Sequence, residues 1–216
     1  MARATSSSLI EVLKEARHLA RASYTAMPWR NGAGITHEIA REPAQGEAFS
    51  WRLSLASLEV NGPFSSYAGY QRCVALVAGR GFRLHIGSAH AQELRTRGNH
   101  VLFDGASATR CELLDGPCTD LSLIVREPGL IDHVSPLAVG AEEEVKSPAA
   151  RTLVLFVLAG AITVQAPGRV SSAHTGAAFF RLNLHDTLLI PAEESWYVNA
   201  TPVGPAEILR LSLAVP

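Results

Sequence analysis

Hydrophobic and polar residues alternate in short runs along most of the chain, and glycine or proline stands in nearly every gap between them. A period of two is typical of β-strands with one buried face, and strands at this spacing favour an antiparallel barrel or sandwich over βαβ units. We therefore predict an all-β fold. The runs in the first part of the chain are residues 34–41, 50–57, 72–78, 81–86, 100–103, 109–114 and 118–125.

The pattern restarts after residues 126–146, which have the composition of a connection and contain Pro128, Pro136 and three consecutive glutamates. Two comparable β-rich halves predict two antiparallel β-barrels, or jelly rolls, in one compact chain. We expect the first barrel at residues 24–138 and a second, degenerate barrel at residues 139–216. The runs of the second half are residues 151–158, 161–165, 177–180, 186–190, 196–199 and 207–213.

The N-terminal segment has a helical period, with charged residues opposite an apolar face. Ser7 or Ser8 would cap such a helix. We predict a short helix within an N-terminal extension of residues 1–23. Residues 1–8 are expected to be frayed, because they are small and polar and lack the apolar core of a signal peptide. The apolar face consists of Leu9, Ile10, Leu13, Ala16, Leu19 and Ala20.

Composition and charge exclude several classes of partner. The 216-residue chain is 47% hydrophobic, which is enough for one large or two small cores. Its 19 basic and 20 acidic residues leave a net charge of −1, so we expect no nucleic acid as a partner. No apolar run reaches the ~18–20 residues of a membrane span, so we expect no membrane partner either.

Three cysteines, Cys73, Cys111 and Cys118, form an odd and unclustered set without a secretory leader. Such a set is typical of reduced, mostly buried thiols, because disulfide frameworks need an even number of cysteines and an oxidising compartment. We therefore expect a cytoplasmic protein without disulfide bonds.

The most informative stretch is residues 27–38, which concentrates an aromatic ring, a fixed cation, an amide and glycines. Gly32 and Gly34 allow the backbone to approach a ligand or a neighbouring strand closely. Residues 51–54 and 61–72 repeat the combination of aromatic, arginine and hydroxyl side chains. We interpret the three stretches as parts of one pocket. The first contributes the candidates Trp29, Arg30, Asn31 and Thr36.

These stretches resemble the HutD/Ves family, cupin-like proteins whose best-known members are encoded beside histidine-catabolism genes in bacteria. The resemblance runs in order over roughly residues 18–135, through residues 28–36, 49–54 and 62–65. It implies a bicupin, that is, two cupin barrels of which the second is degenerate, and a role linked to histidine utilisation.

Three features depart from the family pattern. Arg30 stands where a lysine is usual, and an arginine fork offers a ligand a different geometry from a lysine point charge. Ala33 stands where a glycine is usual. The chain also carries extra residues before His18, and the resemblance would make the region from His18 to Tyr24 a strand, which leaves the end of the predicted helix open.

A cupin metal site needs three or four convergent nitrogen or oxygen donors, and neither half keeps them. In the second half, the resemblance aligns Trp196 with the third metal histidine, and Ala166 and Gly168 with the first two. In the first half, His85 keeps the first position, but Gly87 replaces the second histidine. We predict a protein without metal or another cofactor.

His85 has two interpretations. A lone imidazole on a strand is more often a hydrogen-bonded residue than a ligand or a base. An imidazole that points into a barrel could still carry a proton, so His85 stays among the candidate ligand-binding residues.

Strand alternation separates the residues of the second stretch. Arg52 and Ser54 share one face, which we assign to the pocket. Trp51 and Leu53 share the other face, which we assign to the core.

Arg52 and Arg72 both lie in otherwise apolar strands, where a guanidinium group usually pairs with a carboxylate or a phosphate. One interpretation is a structural ion pair with Glu38 or Glu59, and the other is a ligand anion. Ligand binding is favoured for Arg52, whereas the two interpretations are level for Arg72.

The loop at residues 61–67 also has two interpretations. Asn61 and Gly62 can form a turn that Phe64 anchors. Alternatively, Phe64 and Ser65 belong to a rim that supplies a hydroxyl and backbone donors to an anionic ligand, and the resemblance favours the rim.

Two functions from different classes fit these residues. The first, which the resemblance implies, is a non-catalytic, metal-free protein that binds a small carboxylate metabolite and modulates histidine catabolism. Urocanate or N-formylglutamate would suit, because each offers a carboxylate to an arginine. The alternative is a metal-independent isomerase or hydrolase for a small acidic metabolite, with His85, Tyr67 or Glu38 as acid or base. A purely structural or protein-binding module is a third hypothesis. The sequence does not fix the oligomeric state, and a homodimer is possible.

Overall fold

The computed structural model describes residues 16–29, 34–46, 48–127, 129–140, 142–165, 179–192, 194–201 and 204–214. Within these ranges the chain forms β-strands and one short 3₁₀ helix, Arg21–Ser23. Every strand pairing is antiparallel, for example β3 with β4, whose ranges are given below. The prediction of an all-β, antiparallel fold is confirmed.

The chain divides into two compact units, which are described separately. The first unit spans Ala22–Leu130, and the second joins the residues up to Arg21 to those from Ile131 onward. The predicted first barrel, residues 24–138, begins two residues after the start of the first unit and ends eight residues beyond its end.

The first unit contains a six-stranded sheet in the order β2-β3-β4-β11-β6-β9 and a four-stranded sheet in the order β5-β10-β7-β8. Buried side chains from both sheets, such as Val74 and Phe82, pack into one apolar core. The strands are β2 Thr25–Pro28, β3 Gly34–Glu42, β4 Trp51–Leu58, β5 Gly62–Pro63, β6 Gln71–Ala78, β7 Phe82–Ile86, β8 Gln92–Leu94, β9 His100–Asp104, β10 Thr109–Leu113 and β11 Cys118–Val125.

The second unit contains a five-stranded sheet in the order β1-β17-β14-β19-β12 and a four-stranded sheet in the order β13-β18-β15-β16. Its core also draws on both sheets, and it includes Trp196, which is 3% exposed. The strands are β1 Arg17–Leu19, β12 Ile131–Val139, β13 Glu143–Lys146, β14 Arg151–Ala159, β15 Ile162–Gln165, β16 Phe179–Leu182, β17 Thr187–Ile190, β18 Ser195–Ala200 and β19 Ala206–Ala214.

The predicted connection between the two halves is wrong. Residues 126–146 contain the strands β12 and β13. Pro136 does not prevent β12 from forming, because β12 is the edge strand of its sheet and an edge strand tolerates a missing N–H donor.

The predicted N-terminal helix is not confirmed in the residues that the structure describes, and its residues 9–15 lie outside the described ranges. Arg17–Leu19 is strand β1, which pairs with β17. The segment is held by Asp186, whose Oδ2 lies 3.1 Å from Nε2 of His18 and whose Oδ1 accepts a 2.7 Å hydrogen bond from the backbone N–H of Arg21. Pairing with a neighbouring strand therefore overrides the helical period.

Candidate functional site

A cavity of about 510 Å³ lies in the first unit against the six-stranded sheet. Alternation along the strands brings every second residue to it: Arg52 and Ser54 from β4, and Asp120 and Ser122 from β11. The strand register places Ser54 directly opposite Ser122. Side chains from the loop that follows β5, including Phe64, also line the cavity.

Most of the predicted ligand-binding residues lie at this one cavity. Arg30 and Asn31 lie outside the described residues. The candidates that line the cavity are Trp29, Thr36, Arg52, Ser54, Phe64, Ser65 and Arg72.

His85 is not at the cavity. It lies on β7 between the buried residues Leu84 and Ile86, so its own side chain points to the outer face, where it is 47% exposed. Its Nε2 lies 3.0 Å from Oε2 of Glu112, which also accepts hydrogen bonds from Arg83. The geometry therefore supports the hydrogen-bonded interpretation of His85 over a role in the pocket.

Trp29 and Thr36 close one side of the cavity through a direct contact. Nε1 of Trp29 donates a 2.8 Å hydrogen bond to Oγ1 of Thr36, and its backbone N–H donates to the carbonyl of Gly34 at 3.0 Å. A Cβ atom at Gly34 would lie 2.5 Å from the carbonyl oxygen of Ser57 and 3.3 Å from the indole ring. Strands β3 and β4 approach each other so closely here that only a glycine fits at position 34.

Arg52 forms an ion pair with Glu38. Its Nε donates a 2.7 Å hydrogen bond to Oε2 of Glu38, and Nη1 lies 3.2 Å from the hydroxyl of Tyr67. Trp51, on the opposite face of β4, is partly exposed, whereas Leu53 on that face is fully buried. The structural ion pair, the less favoured of the two sequence-based interpretations of Arg52, is thus present.

Arg72 is held differently. It is 6% exposed, its Nη1 donates to the carbonyl of Ser65 at 3.0 Å, and its Nη2 lies 3.4 Å from Oγ of Ser122. The rings of Phe64, Tyr67 and Phe103 surround the guanidinium carbon at 5.1–5.4 Å. Burial lowers the pKa of the guanidinium.

No carboxylate in the described part of the chain accepts a hydrogen bond from Arg72, although the nearby carboxyl of Asp120 attracts its charge, and the buried Nε of Arg72 has no hydrogen-bond partner there. A buried guanidinium normally has an anionic partner. Arg72 is therefore the cation at the cavity that remains available to a ligand anion.

Asp120 is an acidic residue at the cavity that the sequence interpretation missed. It is 2% exposed, and burial raises the pKa of its carboxyl to about 7, against the opposing effects of Arg72 and of the backbone amides of Ala56 and Asp120. Oδ1 has no hydrogen-bond partner among the described residues. A signal was present in the sequence, since Asp120 is the only acid in an apolar strand and shares the face of Cys118 and Ser122.

Neither a metal cluster nor a membrane span is evident in the described ranges. They contain no group of three or more histidine, cysteine, aspartate or glutamate side chains that could hold a metal ion. They also contain no helix long and apolar enough to cross a membrane.

Comparison with solved structures first defines the class of protein. YlbA from E. coli has a TM-score of 0.65 and 9% identity, over 93% of this chain and 91% of its own, a likeness that shows the fold alone. Together with the paired antiparallel sheets, this likeness shows a cupin-like all-β fold. A family model described as HutD matches residues 21–206, and the chain belongs to the HutD family.

Individual relatives agree with this assignment. Protein Ves of Citrobacter koseri is 30% identical over 181 residues, which cover 81% of this chain and 91% of Ves. An uncharacterized 21.2 kDa protein in the hutC 3′ region of Pseudomonas putida is 41% identical over 102 residues, which cover 47% of this chain and about half, 53%, of that protein. The structure of HutD from Pseudomonas fluorescens SBW25, obtained in a formate condition, has a TM-score of 0.70 and 29% identity, and covers 91% of this chain and 98% of its own.

Proposed function

We propose that this protein is a cytoplasmic, non-catalytic cupin that binds a small carboxylate metabolite in the cavity of the first unit and thereby modulates histidine catabolism. One observation carries the proposal. The buried guanidinium of Arg72 lies at the cavity, and its Nε has no hydrogen-bond partner among the described residues. A ligand carboxylate would supply the missing acceptor. Membership of the HutD family supports the link with histidine utilisation.

We further infer a bicupin arrangement, in which each unit is one barrel and the first alone holds the ligand. The support is the pair of sheets with a shared core in each unit. Candidate ligands are urocanate and N-formylglutamate, which combine a carboxylate with a planar group suited to a cavity bordered by Trp29 and Phe64.

Thermal unfolding with formate, urocanate or N-formylglutamate tests the proposal. Binding to the folded state stabilises it by RT ln(1 + [L]/Kd), about 2.7 kcal/mol at a hundredfold excess over Kd. We expect the carboxylates to raise Tm, and the matched primary amides to leave it unchanged because they carry no charge for the arginine.

Two variants make the test specific for the site. Arg72→Met should lose the ligand-dependent rise in Tm. The control Arg80→Met should keep it, because Arg80 is exposed and pairs with Asp115 at the surface. Absence of a Tm change with every carboxylate, or an unchanged response in Arg72→Met, would contradict the proposal.

A second candidate function is proton-transfer catalysis on a bound metabolite. It is favoured by Asp120, because a buried carboxyl with a raised pKa in a cavity is a common feature of general acids and bases. Incubating the bound compounds with the protein and following their conversion by NMR separates the two functions. Turnover that is lost in Asp120→Asn would establish catalysis.

A further inference from the structure

Arg72 and Asp120 bring opposite charges to the same cavity. Both line it, and both are buried, at 6% and 2% exposure. Asp120 lies two residues along β11 from Ser122, whose hydroxyl Nη2 of Arg72 contacts. The guanidinium therefore reaches along the strand towards the carboxylate.

The two groups do not satisfy each other. Nε of Arg72 and Oδ1 of Asp120 each lack a hydrogen-bond partner within the described part of the chain. The second arginine at the cavity differs in this respect, because Glu38 accepts a hydrogen bond from Arg52. A buried donor or acceptor without a partner destabilises the protein, so a ligand that forms a hydrogen bond with each of the two atoms removes both penalties.

We propose that the ligand is a small carboxylate that also carries an N–H group, and that ionised Asp120 accepts the hydrogen bond from this N–H while Arg72 binds the carboxylate. This inference rests on the proposed function and specifies its ligand class. Asp120 acts as a specificity residue, because a carboxylate without an N–H leaves Oδ1 buried and unpaired.

The protonation of Asp120 gives the inference a pH signature. Asp120 interacts electrostatically with Arg72 on β6 and with Cys111 on β10. Arg52, which pairs with Glu38, and Tyr67 line the same cavity and act on Arg72. Burial raises the pKa of Asp120 to about 7.

An N–H donates a stronger hydrogen bond to the ionised carboxylate than to the protonated carboxyl, so the advantage of an N–H ligand over a carboxylate without a donor should grow as the pH increases through this value. A carboxylate without a donor adds negative charge beside Asp120. Its affinity should instead rise as the pH falls and Asp120 becomes protonated.

A matched pair of probes tests this directly: 3-(pyrrol-2-yl)acrylate and 3-(furan-2-yl)acrylate. They differ in one ring atom, N–H against O, and neither ring titrates between about pH 6 and pH 8. Isothermal titration calorimetry should give about tenfold tighter binding of the pyrrole compound at about pH 8, and a smaller ratio at about pH 6.

Two variants of Asp120 assign the effect. Asp120→Leu should bring the two affinities within about twofold of each other, because it removes the acceptor. Asp120→Asn keeps an acceptor oxygen but cannot titrate, so it should abolish the pH dependence of the ratio while some preference for N–H remains. If Asp120→Leu does not fold, Asp120→Asn tests the inference alone: a ratio of the two affinities that still changes with pH in this variant would overturn it.

The outcomes separate the two proposals. Equal binding of the two probes by the wild-type protein at both pH values overturns this inference and leaves carboxylate binding standing. A preference for the N–H probe that survives in Asp120→Leu also overturns it. Absence of binding of both probes and of formate overturns the proposed function and this inference together.

Discussion

Nε of Arg52 donates a 2.7 Å hydrogen bond to Oε2 of Glu38, and the two side chains are 13% and 20% exposed. Glu38 therefore already neutralises the guanidinium that strand alternation brings to the cavity. Arg72, on strand β6 of the same sheet, donates a hydrogen bond to no carboxylate among the described residues, and the attraction of Asp120 leaves its Nε without an acceptor. The geometry reverses the ranking that residue types alone suggested for the two arginines.

The first prediction compares these arginines. Arg72→Met should weaken formate binding by about tenfold or more, because it removes the buried cation whose Nε donates to no carboxylate in the described part of the chain. Arg52→Met should weaken it less, since Nε of Arg52 already donates to Glu38 and this carboxylate already balances its charge. Calorimetric Kd values for both variants check the order, and a larger loss in Arg52→Met would contradict it.

The second prediction concerns the acid of the pair. Glu38→Gln should lower the free energy of unfolding by about 1–3 kcal/mol, because Arg52 loses a charge-assisted hydrogen bond at a partly buried position. The same change frees Arg52 for a ligand, so formate affinity should increase. Urea unfolding and calorimetry measure the two effects, and a decrease in affinity would show that Glu38 itself contributes to the ligand site.

Much of the first unit could be predicted from alternation. The predicted run at residues 118–125 overlaps β11 fully, and the parity of residues 52 and 54 correctly put Arg52 and Ser54 together at the cavity. The direction of His85 was not predicted, although its neighbours Leu84 and Ile86 are apolar and alternation along β7 therefore favours an outward side chain.

Other features depend on contacts that residue patterns do not contain. The Arg52–Glu38 pair follows from the β3–β4 register, in which Glu38 lies opposite Ser54. The raised pKa of Asp120 depends on burial beneath neighbouring strands, which a single acid in an apolar run suggests but does not establish. The helical period near the N-terminus likewise could not reveal that β17 offers Arg17–Leu19 a strand partner.

The third prediction tests the contact between β3 and β4. Gly34→Ala should destabilise the protein by about 1–3 kcal/mol, because the added Cβ would meet the carbonyl oxygen of Ser57 at 2.5 Å. Gly62→Ala is the matched control, since no atom lies within 4 Å of a Cβ built there. Equal midpoints of urea unfolding for the two variants would show that the strands can separate without cost.

The fourth prediction concerns the thiols. Cys73, Cys111 and Cys118 are all buried and free, and burial raises the pKa of Cys73 and of Cys111 to about 12. Because the thiolate is the reactive form, a disulfide reagent such as DTNB should react slowly with the native protein and with all three cysteines after unfolding in urea. Rapid reaction of one thiol in the native protein would indicate local opening at that strand.

The last prediction is a pH dependence of stability. In an unfolded chain an aspartate titrates with a pKa of about 3.9, whereas the folded pKa of Asp120 is about 7. Between these values the folded state binds more protons at this site than the unfolded state. The contribution of Asp120 to the free energy of unfolding therefore falls as the pH rises through this window, and it is level above about pH 7.

Asp120→Asn isolates that contribution because it removes the titration and keeps the shape of the side chain. At about pH 8 the variant should be more stable than the wild type by on the order of 1–3 kcal/mol, since it no longer buries an ionised carboxylate, and the difference should shrink towards pH 4. Urea unfolding across this range measures it. A stability difference that does not change with pH would show that Asp120 does not take up a proton on folding. The preference of the cavity for an N–H ligand should then not depend on pH either.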